Sequence, residues 1–125
     1  MKSEERLHSD CYVWFHNTYP NLRGLLCYNL NNSKNRIDGA RNKAKGLQPG
    51  RADFTLYYNG TAHFIELKTE IGSQSNGQKE WEKLVRSHGF NYYICKTLNE
   101  FQYAINQRIL SEIHLQEHQD RDEGR

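Results

Sequence analysis

The dipeptide Asn59-Gly60 constrains this chain more than any other pair of neighbouring residues. Asn-Gly is the strongest short hairpin signal, because both residues tolerate the positive φ angles of a two-residue turn whose twist matches its strands. The flanking stretches, Asp53-Phe54-Thr55-Leu56-Tyr57-Tyr58 and Thr61 to Lys68, read as those strands. With Asn59 and Gly60 as the loop, Tyr58 pairs with Thr61, and counting outward sets Asp53 directly opposite Glu66. Directly opposed residues share a face, with Cβ atoms about 4.5–5.5 Å apart. Side chains alternate along a strand, so Lys68 joins Asp53 and Glu66 while Phe54, Leu56, Ile65 and Leu67 turn toward the core. Phe64 fits least well, since this register puts it on the acidic face across from Thr55.

Glu66 and Lys68 interrupt an otherwise apolar run, Phe64-Ile65-Glu66-Leu67-Lys68, where charge without a partner is costly. Two carboxylates held opposite one another also repel. A divalent metal resolves both problems. Oxygen ligands from Asp53 and Glu66, the Leu67 carbonyl and water suit Mg²⁺ or Mn²⁺. Zinc fits less well, because no His or Cys lies on that face of the hairpin; His63 falls on the opposite face, across from Leu56, and reads as structural. Lys68 at the rim can orient an attacking water or screen the charge of a phosphodiester transition state. The plainer alternative for Glu66 and Lys68 is an exposed edge with an ordinary salt bridge. A Glu-x-Lys triplet alone decides nothing, since it arises by chance about 0.4 times in a chain this long. The aspartate placed opposite by the hairpin makes it specific.

Elsewhere the patterns predict an α-β-α-β-β-α-β-α order with no repeat and no domain linker. Ser3 to Asn17 reads as a helix with Leu7, Cys11, Trp14 and Phe15 on one side and Glu4 and Glu5 in its first turn. Leu25 to Tyr28 reads as a short strand, Lys34 to Lys45 as a basic helix ended by Gly46, and Gly46 to Gly50 as a turn-rich link. Ser75-Asn76-Gly77-Gln78 fits a capping box, opening a helix that carries Trp81, Leu84, Val85 and His88 on one face. Phe90 to Lys96 is the last strand, and a closing helix turns Phe101, Ala104, Ile105 and Ile109 inward. One domain over residues 1–116 is expected, with a disordered charged tail at 117–125.

Charge is uneven along the chain. Between Arg23 and Arg51 seven bases stand against one acid, Asp38, whereas the tail from Glu117 has four acids against two bases. Lys34, Arg36, Arg41, Lys43, Lys45 and Arg51 are therefore candidates to track a nucleic-acid backbone. No apolar run approaches the length of a membrane span, and the first residues do not resemble a secretory signal, so a soluble, cytoplasmic protein is expected. Three separated cysteines with no C-x-x-C pair point to buried reduced thiols.

Taken together, Gly46-Leu47-Gln48-Pro49-Gly50-Arg51-Ala52-Asp53-Phe54, Phe64 to Lys68, Ser75 to Trp81 and Gly89-Phe90 resemble the VRR-NUC domain of the PD-(D/E)xK nuclease superfamily, in the stand-alone form of phages and bacteria. The resemblance spans nearly the whole chain. It implies an α/β, restriction-endonuclease-like core, a central mixed sheet flanked by helices. It also implies metal-dependent DNA cleavage, with branched, flapped or four-way-junction DNA as substrates. By position, Asp53 and Glu66 resemble the metal ligands, Lys68 the catalytic lysine, Gln78 the glutamine at the start of the next helix, and Glu5 the first-helix glutamate that helps hold metal. Three places depart from the family pattern. Leu30-Asn31-Asn32 replaces Pro-Asn-Gly, with Asn31 as the matching asparagine; Ala52 replaces a proline; and Gly77 sits in the capping box.

A Mg²⁺- or Mn²⁺-dependent DNA endonuclease is the leading reading. A non-catalytic nucleic-acid binding module acting with a helicase or recombinase, and an RNA nuclease, are the alternatives. A homodimer is expected, because a four-way junction presents two symmetric strands, with Tyr12, Tyr103 or Ile113 as interface candidates.

Overall fold

The computed structural model describes residues 3–30, 36–69 and 71–111. Asn31, Lys34, Ile113 and the expected tail lie outside these residues.

The hairpin forms as its turn chemistry requires. Asn59 and Gly60 both adopt positive φ, 53° and 76°. Strand β2 (Phe54–Tyr58) pairs antiparallel with β3 (Thr61–Leu67) in the expected register, Tyr58 with Thr61, Leu56 with His63 and Phe54 with Ile65. Strand β1 (Leu26–Tyr28) adds antiparallel to β2, and β4 (Asn91–Cys95) adds parallel to β3, which gives a mixed sheet in the order β1-β2-β3-β4.

Alternation then sorts the two faces. On one side, helix α1 (Glu4–Thr18) and helix α4 (Leu98–Tyr103), which continues into a wider π-helical turn over Ala104–Ile109, cover the sheet. Leu7, Cys11, Phe15, Phe101, Ile105 and Ile109 pack there against Leu26, Phe54, Leu56, Ile65, Leu67 and Cys95. On the other side, helix α3 (Asn76–Ser87) crosses from β3 to β4 and lays Trp81 and Val85 over Ala52, Phe64 and Tyr92. Phe64 is thereby explained: the turn is the two-residue one, and this phenylalanine belongs to a second, smaller core under α3, edge-on to Trp81 at 4.8 Å between ring centroids.

Local chemistry sets the helix ends. Ser3 Oγ accepts from the Arg6 amide at 3.1 Å and starts α1 with Glu4 and Glu5 in its first turn. Ser75 and Gln78 form a complete capping box: Gln78 N donates to Ser75 Oγ at 3.2 Å, and Ser75 N donates to Gln78 Oε1 at 2.9 Å. The basic helix α2 (Arg36–Ala44) precedes the turn into β2. His63 is buried within the sheet, its Nδ1 3.5 Å from Asn91 Nδ2. All three cysteines are free thiols; burial, with help from the Glu100 carboxylate, pushes the Cys95 thiol up to about 12, so it stays protonated.

Candidate active site

The β2–β3 hairpin brings Asp53 and Glu66 beside one another within the field of Lys68, but not as a ladder pair. Regular pairing stops at Phe54 and Ile65. Asp53 lies one residue outside the strand, and its Oδ2 accepts from the Leu67 amide at 2.7 Å. The expectation of a directly opposed pair is corrected in this respect: a carboxylate that can take a backbone N–H as partner does so, and the ladder gives way there. Burial pushes the Asp53 carboxyl above the usual carboxylate range, against the Leu67 amide bond and the charge of Lys68.

Glu66 is wholly buried. Its Oε1 accepts from the Tyr92 hydroxyl at 2.6 Å, and its Oε2 has no hydrogen-bond partner. Burial raises this carboxyl too; the Tyr92 hydroxyl, Lys68 and the side chain of Gln74 counteract the shift, and the neighbouring Asp53 adds to it. An exposed edge with an ordinary salt bridge is therefore not what these residues form. Lys68 is half-buried, its charge acts on both carboxylates, and its amide donates to Cys95 O at 3.0 Å.

A turn and a helix start close the site from the other side. Gly50 has φ +81°, and a Cβ there would lie 2.6 Å from the Gly77 carbonyl oxygen. The Pro49-Gly50 turn thus packs directly on the first peptides of α3 and brings Gln78 into one cleft with Asp53 and Lys68. The N-terminus of α1 forms the opposite wall. Glu4 lines the cleft on both sides of Asp53, whereas Glu5 lines only the side toward His8 and Tyr28. Adjacent acids on a helix diverge by about 100°, and sequence alone could not decide which one turns inward.

Comparison with solved structures matches this fold to two chains described as "VRR_NUC domain protein" and "VRR_NUC domain". The first aligns with a TM-score of 0.71 at 17% identity over 87% of this chain and 91% of that one. The second aligns with a TM-score of 0.56 at 17% identity over 80% and 95%. The chain has the VRR-NUC fold. No family model matches the sequence, and no curated protein matches it.

Within this VRR-NUC fold, two supporting groups escaped sequence reasoning. Asn29, buried at the end of β1, holds the segment that carries Asp53. Its Nδ2 donates to Ala52 O at 3.1 Å and to Thr55 Oγ1 at 2.8 Å, and its amide donates to Asp53 O at 2.8 Å. Its Oδ1 accepts from Arg51 at 2.9 Å. Tyr92 is the second group. Arg86 donates to the Tyr92 carbonyl at 2.7 Å and lies over its ring, and Glu82 links Arg86 at 2.7 Å to Gln74 at 2.9 Å. Tyr92 faces Phe64 across the parallel β3–β4 register, a pairing visible only once the sheet order is known.

Of the candidate phosphate-tracking residues, Arg41, Lys43 and Lys45 are exposed on or just beyond α2. Arg51 is instead half-buried against Asn29. Among the described residues no three His, Cys, Asp or Glu side chains form a ready-made metal cluster. The test of a hard divalent cation is the state of the two carboxylates. Both are disfavoured as anions by burial, and one holds a buried oxygen with no partner, so the oxygen donor set fits such an ion.

Proposed function

We propose that the protein is a metal-dependent DNA endonuclease, selective for branched, flapped or four-way-junction DNA. The observation that carries this reading is the unpartnered Oε2 of the fully buried Glu66, beside Asp53 and within the field of Lys68. A buried carboxylate oxygen without a donor is expensive in a structural role and useful in a site that receives a cation. Asp53 and Glu66 would hold Mg²⁺ or Mn²⁺, which when bound supplies Lewis acidity and neutralises charge at a phosphodiester. The Leu67 carbonyl and Glu5 remain further candidate ligands, and Glu4 joins them by its place in the cleft.

The chain's own residues do the rest. Lys68 orients the attacking water and screens the negative charge that builds on the phosphate oxygens as one phosphorus–oxygen bond forms and the other breaks. Gln78, its carbonyl oxygen fixed by the capping box, faces the same cleft and positions the strand. Arg41, Lys43 and Lys45 would track the backbone away from the cut, and a homodimer through surfaces such as Tyr12 and Tyr103, both exposed, would present two sites to a junction. A panel of linear, flapped and four-way DNA, with labelled RNA alongside and with Mg²⁺ or Mn²⁺, tests the reading. Metal-dependent cutting of branched DNA is expected; its absence on every substrate would remove the assignment.

A further inference from the structure

Glu4 and Asp53 stand at the junction of two arms of one cleft, and the arms differ in chemistry. The arm toward Gly50 holds Lys68 and the capped N-terminus of α3, with Gln78 and Ser75. Cationic and amide donors suit a phosphate. The other arm, about 470 Å³, is lined beyond Glu4 and Asp53 by Glu5, His8, Ser9 and Tyr28, with no Lys or Arg among the described residues that line it.

The second arm has an aromatic wall with firm backing. Tyr28 is 59% exposed at the end of β1. Its ring leans on His8 at 4.7 Å between centroids, and His8 stacks on the fully buried Phe54 at 4.2 Å with 29° between planes. The exposed ring is therefore anchored through His8 to the main core. A phosphate here would meet the Glu5 carboxylate with no Lys or Arg beside it among the described residues of this arm. A flat, uncharged ring bearing N–H donors would meet an aromatic face and carboxylate acceptors. Nucleobases are such rings, stacking on aromatic side chains and donating from their amino groups to acids.

We propose that the His8–Tyr28 arm binds one unpaired nucleobase adjacent to the phosphate at Asp53, stacked on Tyr28. This rests on the nuclease reading and narrows its substrate class: the base beside the cut must be outside the duplex, as at a flap or an opened junction.

The test uses single-stranded oligonucleotides carrying 2-aminopurine, whose fluorescence falls on stacking, mixed with the whole protein in EDTA so that cutting does not interfere. Wild type and Tyr28→Phe should quench the probe. Tyr28→Ala and the bulk-retaining Tyr28→Leu should bind about 5- to 150-fold more weakly, the range of one base–aromatic stack. An abasic scan against wild type should show one position where removing the base costs a similar factor, and Tyr28→Ala should add nothing at that position. Equal quenching by Tyr28→Leu and wild type, or an abasic scan without such a position, overturns the proposal. Failure of wild type to cut any DNA with metal would instead overturn the nuclease reading, and the quenching would still decide the base site.

Discussion

The Tyr92 hydroxyl donates to Glu66 Oε1 at 2.6 Å inside the small core under α3, and it is the hydrogen bond that holds this carboxylate in place. Tyr92→Phe would remove the hydroxyl donor from Oε1 of a buried carboxylate. Hydrogen bonds to charged groups contribute about 1.5–3 kcal/mol, so a loss of that size is expected at pH 8 in metal-free protein. The loss should shrink near pH 5, where Glu66 more readily carries a proton. Urea unfolding at the two pH values measures both, and an equal loss at each would count against an ionised Glu66 as the acceptor.

Glu66 and Asp53 should also give the metal-free protein a definite pH slope. Burial raises both carboxyls, so just above the ordinary carboxylate range the folded chain still holds protons that the unfolded chain has released. The folded state then binds more protons, and stability falls as pH climbs through that window. His8 acts oppositely, because burial, partly offset by Glu4, lowers its pKa and costs stability as pH drops below the ordinary imidazole value. The carboxylate effect is therefore read as a difference between variants. Glu66→Gln should flatten the loss of melting temperature between pH 5 and pH 8 in EDTA, and an unchanged slope would show that Glu66 is ionised without cost.

Lys68→Ala and Asp53→Asn separate chemistry from folding. Lys68 is half-buried at the cleft and outside the main core, so its truncation should leave the chain folded, with a modest drop in melting temperature from the charge that both carboxylates lose. Cleavage of the best DNA substrate should fall by about 10²–10³-fold, the usual range for removing one electrostatic donor from a transition state. Asp53→Asn should abolish turnover and weaken Mn²⁺ binding measured by calorimetry. Full activity in both variants would mean that the assigned residues are the wrong ones.

Asn29 shows where sequence reading reached its limit. The hairpin register, the core alternation and the capping box were legible, because each depends on residues within a few positions and on a turn that only one backbone geometry satisfies. Asn29 bonds to residues 22 to 26 positions away in the chain, and a lone asparagine after a strand carries no mark of that. Tyr92 required the parallel pairing of β3 with β4 before it could be placed beside Glu66. Glu4 and Glu5 differ only in direction around a helix. Asn29→Ala would leave the Ala52 carbonyl and the Thr55 hydroxyl without their donor, and a loss of about 1–3 kcal/mol in unfolding free energy is expected. Because the same residue brackets Asp53, the rate on DNA should drop even at temperatures where the variant is fully folded. Wild-type kinetics in a destabilised but folded Asn29→Ala would confine it to a structural part.

Gly50 and Gly77 touch one another yet should respond oppositely to the same substitution. At Gly50 an alanine meets two obstacles: its φ of +81° disfavours a side chain by about 1–2 kcal/mol, and its Cβ would sit 2.6 Å from the Gly77 carbonyl oxygen. That oxygen belongs to the backbone of a helix start fixed by the Ser75–Gln78 capping box, so it cannot move aside alone. Gly50→Ala should therefore cost more than about 2 kcal/mol and push the turn off α3, separating Asp53 from Gln78. At Gly77 the nearest atom to an added Cβ is Ser75 Oγ at 4.0 Å, an ordinary contact, and its φ is not positive. Gly77→Ala should stabilise by up to about 1 kcal/mol through helix propensity, with cleavage unchanged. Thermal unfolding and turnover of the two variants, measured in parallel, decide whether the turn–helix contact holds the site together. Equal behaviour of the two would show that it does not.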